Sequence, residues 1–81
     1  ETALRNFRSA SERVRTLRKS VEQAEESLRI EQQKYGLGRG AIVDVLDSQS
    51  ALLEAETQYY GALSEVQIAR AQIELATGEF Q

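Results

Sequence analysis

Cysteine, histidine, proline, methionine and tryptophan are all missing from this 81-residue chain. Without cysteine there is no disulfide, no thiolate nucleophile and no sulfur-based metal site, and the redox compartment stays open. Without histidine, most zinc chemistry and the usual neutral-pH acid–base group are excluded. The lack of proline removes the strongest helix breaker, so glycine alone must punctuate the chain. Charge of one sign is not in excess: ten basic and thirteen acidic residues leave a net charge of −3. A nucleic-acid binder would normally carry a basic surplus, so no nucleic-acid partner is expected. No apolar run approaches the roughly 18 residues that a membrane-spanning helix needs. The first residue is Glu1 and no signal peptide is visible, so a piece of a longer protein is expected, and its compartment is not fixed by a missing leader.

What is present is periodicity. Phe7, Val14, Val21, Leu28 and Tyr35 recur every seven residues, with Ala3, Ala10, Leu17 and Ala24 in a second row that only Glu31 breaks. Later, Val45, Leu52, Tyr59, Val66, Ile73 and Phe80 form one row and Ala41, Ser48, Ala55, Ala62, Ala69 and Ala76 the row beside it. A heptad held this long specifies a left-handed coiled coil, and small residues along one row let the two backbones approach closely.

Gly36, Gly38 and Gly40 supply the one credible break between these halves. The reading is therefore all-α: a long antiparallel two-helix coiled-coil hairpin. It has a helix over about 2–35, a tip over 36–41 and a second helix over about 42–77, and at 1.5 Å per residue each arm is expected to be about 50 Å long. The basic stretch Arg5, Arg8, Arg13, Arg15, Arg18 and Lys19 would then lie beside Glu56, Glu65, Glu74 and Glu79 and set the register. Exposed pairs of this kind contribute about 0–1 kcal/mol each. Ile42, Leu46, Leu53, Tyr60, Leu63, Ile68 and Leu75 fall off the main seam. Such extra apolar surface on one arm predicts a further helix on its far side and a larger bundle or barrel. An isolated hairpin is expected to form a dimer or higher oligomer.

Around the turn the sequence runs Tyr35-Gly36-Leu37-Gly38-Arg39-Gly40-Ala41-Ile42-Val43-Asp44-Val45-Leu46-Asp47-Ser48-Gln49. This resembles the hairpin tip of TolC-like outer membrane efflux proteins, where a Tyr precedes a tip Gly by three residues and Asp-Val-Leu follows it by six. The match falls on Tyr35, Gly38, Asp44, Val45 and Leu46. An alanine-rich second arm and the closing Leu75-Ala76-Thr77-Gly78-Glu79-Phe80 agree with it, so the likeness covers nearly the whole chain. One departure is Ala41, where the family usually has a Ser or Thr able to cap the helix; losing that hydroxyl costs roughly 0.5–2 kcal/mol locally. Ser48 stands where a different small residue is common.

The resemblance implies the periplasmic α-barrel arm of a trimeric outer membrane channel, in tripartite efflux or type I secretion. Its tip would dock to a periplasmic adaptor, a membrane fusion protein. Gly36, Leu37, Gly38, Arg39 and Gly40 would form that docking surface. Asp44 and Asp47 would ring the channel mouth, and Tyr35 would tie neighbouring hairpins together through its hydroxyl. An adaptor's own coiled-coil hairpin is the first alternative, although this tip lacks the Arg-Leu-Ser type pattern of adaptors. A stand-alone dimerisation module is the second. No catalysis, cofactor or metal is expected: two carboxylates on one helical turn are too few for a calcium cage, and the glycines lack the Lys-Ser/Thr ending of a phosphate loop.

Overall fold

A computed structural model describes residues 2–78, and Glu79 and Phe80, the end of the expected closing motif and of one heptad row, lie outside the described residues. Two helices account for almost all of it: α1 (Thr2–Gly36) and α2 (Ile42–Gly78). They fold back on each other as a rod 64 Å long and 15 by 14 Å across. Both arms are of similar length, as 35 and 37 residues at about 1.5 Å each require.

The seam is the heptad. Ala10 and Val14 of α1 and Val45, Ala62 and Ala69 of α2 are buried. Phe7, Leu17, Val21, Ala24 and Leu28 are half-buried on one side, and Leu52, Ala55, Tyr59, Val66 and Ile73 on the other. Ala62 is wholly inaccessible. Glu31, the break in the α1 row, is half-buried and keeps its carboxylate 3.6 Å from the Lys34 ammonium, one turn away. Among the described residues no polar side chain is buried, so the core is thin, apolar and one residue deep.

Among the described residues one ion pair crosses the seam: Arg13 donates to Glu65 at 2.7 Å. Close to it the Tyr59 hydroxyl lies beside the Arg18 guanidinium and raises its pKa above the ordinary arginine value. Together these contacts fix which residues lie level with one another. Glu65 answers the expected basic stretch, whereas Glu56 and Glu74 make no ion pair among the described residues, and Glu79 lies outside them. Within α1, Glu26 accepts from Arg29 at 3.0 Å, an i,i+3 contact that holds its carboxyl below the usual carboxylate range.

Candidate functional site

The chain turns by a helix-ending motif that depends on a single left-handed residue. Gly38 has φ of 75°, and no non-glycine residue of the described chain has positive φ. With Gly38 in that conformation, its N–H donates to the Tyr35 carbonyl at 3.0 Å and the Arg39 N–H to the Lys34 carbonyl at 2.8 Å. This pair of bonds is the Schellman arrangement, which satisfies carbonyls that the end of α1 would otherwise leave open. The Ala41 carbonyl then accepts from Asp44 N–H at 3.1 Å and Val45 N–H at 3.4 Å, starting α2. Ala41 has no side-chain oxygen for the first free N–H groups, so this helix start relies on backbone and on the charge of Asp44.

The three tip glycines do different things. A Cβ on Gly40 would meet Lys34 Cβ at 3.0 Å and the Tyr35 nitrogen at 3.2 Å, so Gly40 faces its own hairpin and permits α2 to leave close to α1. Gly36 and Gly38 meet nothing within 4 Å. The surface open at the apex is therefore Gly36, Leu37, Gly38 and Arg39. Leu37 is 71% exposed, the most exposed large apolar side chain of the described chain. Ile42, Val43 and Leu46, each half or more exposed, continue this apolar patch onto the first turn of α2. Val43 belongs to neither heptad row, and no periodic signal in the sequence singles it out.

Tyr35, at the end of the α1 row, is 49% exposed, and its hydroxyl makes no hydrogen bond among the described residues. Asp44 and Asp47 are both exposed, one turn apart at the tip end of α2. Among the described residues neither has an ion-pair partner, and no cluster of three metal-ligating side chains occurs. No described helix is long and apolar enough to cross a membrane. A shallow groove of about 320 Å³ opens beside Arg13 and Glu65, where Ser9, Ala10 and Ala69 leave space between the arms.

The outer face of α2 is the second unusual surface. Ile42, Leu46, Leu53, Tyr60, Ile68 and Leu75 are all at least half exposed, and only Leu63 of the off-seam set is half-buried. Leu46, Leu53 and Tyr60 recur every seven residues, as do Ile68 and Leu75, so much of this face repeats with the seam's own period. The polar members of this face are quiet: Thr57 satisfies its hydroxyl on the Leu53 carbonyl at 2.8 Å.

Charge is divided along the rod. The contacts of Arg13 with Glu65 and Arg18 with Tyr59 place residue 20 level with about residue 58. On that register the open half, residues 1–20 and 58–81, holds seven basic and five acidic side chains. The tip half, residues 21–57, holds three and eight. One half is thus net positive and the other clearly negative.

A family model described as outer membrane efflux protein matches residues 1–79. No curated protein and no solved structure matches the chain.

Proposed function

The chain belongs to the outer membrane efflux protein family, and from that premise we propose that it is a periplasmic α-barrel hairpin whose tip docks to a periplasmic adaptor protein. The observation that carries this reading is the apex itself: an apolar leucine held out on a rigid turn, flanked by two glycines with open space around them. Such a surface suits close contact with another helical tip, because nothing but backbone and one apolar side chain has to be desolvated. Arg39, exposed beside it, can donate to partner carbonyls.

The rest of the hairpin fits a wall element. α2 carries one apolar row toward α1 and another on the side away from it. A helix with neighbours on two sides belongs in a row of helices closed into a cylinder, and the trimer of the family supplies such a row. In that ring, threefold repetition of Asp44 and Asp47 would concentrate negative charge at the mouth and favour cations over anions. Tyr35, with its hydroxyl unused inside the hairpin, is placed to reach the next one. The role is scaffolding and recognition, with no catalytic step, cofactor or metal.

The docking claim is tested by replacing Leu37 with Asp and measuring adaptor binding by titration calorimetry. Binding is expected to fall by at least tenfold while the far-ultraviolet helix signal stays unchanged. Undiminished binding would remove the apex from the interface.

A further inference from the structure

The seam that closes the hairpin differs between its two halves. We infer that its tip half, residues 21–34 against 43–57, opens locally while the half nearer the chain ends stays zipped, so that the turn rides on a yielding stem. This is a property of the hairpin itself, with or without a docked adaptor.

Three observations carry it. The first is burial. Of the five residues buried among those described, Ala10, Val14, Ala62 and Ala69 belong to the open half and only Val45 to the tip half. In the tip half Val21, Ala24, Leu28, Leu52 and Ala55 are half-buried, and Tyr35, which ends the row, is 49% exposed. Segments with little fully buried apolar surface open at lower cost than the molecule as a whole. The second is the set of polar ties. Both side-chain contacts across the seam, Arg13 with Glu65 and Arg18 with Tyr59, lie in the open half. Among the described residues no side-chain hydrogen bond or ion pair joins the arms in the tip half.

The third is what stands in the seam. Glu31 takes a place that Ala3, Ala10, Leu17 and Ala24 hold elsewhere in its row. Its side chain is only 24% exposed, and its carboxylate has Lys34 of the same helix at 3.6 Å. Among the described residues it has no ion-pair partner on α2. The Arg13–Glu65 pair puts Glu31 level with about residue 47, beside half-buried Ser48. Two polar side chains therefore come level in a seam that is otherwise apolar around them. A carboxylate shielded from water with no partner across the seam weakens the packing where it lies. The turn is spared, because the bonds from the Gly38 and Arg39 N–H groups go to carbonyls of α1 and do not cross the seam. A rigid apex can thus tilt when the stem below it opens.

Hydrogen–deuterium exchange of the full 81-residue chain tests this, read amide by amide at one fixed concentration and corrected for intrinsic rates. Amides of residues 24–31 and 48–55 are expected to exchange at least about tenfold faster than those of 10–17 and 62–69, all four stretches lying clear of the helix ends. Glu31→Leu fills the seam and is expected to slow the tip-half amides at least about fivefold, with the open half changed by less than about twofold. Glu31→Ala, which matches the small row, is expected to act in the same direction and stands in if the leucine variant changes its association state. Equal protection of the two halves in the unmodified chain would overturn the proposal. So would tip-half exchange that neither substitution slows.

Discussion

The three glycines of the tip are chemically identical yet answer to different constraints, and substitution by alanine should separate them. Gly36 lies in the last turn of α1 with open space around it. Gly36→Ala should therefore raise stability, by up to about 1 kcal/mol, through helix propensity alone. Gly38 sits at φ of 75° with equally open surroundings. Gly38→Ala should cost about 1–2 kcal/mol from left-handed backbone strain without any clash. Gly40→Ala should cost about 1–3 kcal/mol because the new methyl meets the backbone of α1, which cannot step aside. Thermal melting by circular dichroism, at one fixed chain concentration, reads all three, with about 4–8 °C expected per kcal/mol for a chain of this size. Equal losses at all three positions would mean that the tip is a loose loop.

Among the elements, both arms and their pairing were legible because the signal is redundant. Val14, Val45, Ala62 and Ala69 each sit on a seven-residue row, and each is buried. The break was legible because three glycines fall within five residues of a chain that is otherwise helix-forming. The inward turn of Gly40 was not legible, since it depends on how the arms cross rather than on residue type. Val43 escaped for a similar reason: its exposure reflects where α2 starts, not any repeat. Charge gave a coarse answer. Of the basic stretch of α1, Arg13 and Arg18 reach α2, and among the described residues Arg13 and Glu65 alone make an ion pair across the seam. Both side chains are more than half exposed, so a double-mutant cycle on Arg13→Ala and Glu65→Ala should give a coupling below about 1 kcal/mol. That coupling should vanish in 1 M salt, where the screening length is about 3 Å. A larger, salt-independent coupling would show that the pair holds the hairpin together instead of choosing its register.

For the whole molecule, a two-helix rod with a core one residue deep cannot bury enough surface to be indifferent to neighbours. Its thin seam closes the hairpin, while the outer row of α2 remains open for another helix. On the function proposed above, that surface packs in the channel wall and the apex is the part that reaches outward.

Photo-cross-linking in the assembled outer membrane protein tests this division of labour most directly. A photoreactive residue at Leu37 should trap the periplasmic adaptor, and the same residue at Leu53 should trap another hairpin of the channel. Adaptor captured from Leu53, or only channel captured from Leu37, would contradict the account.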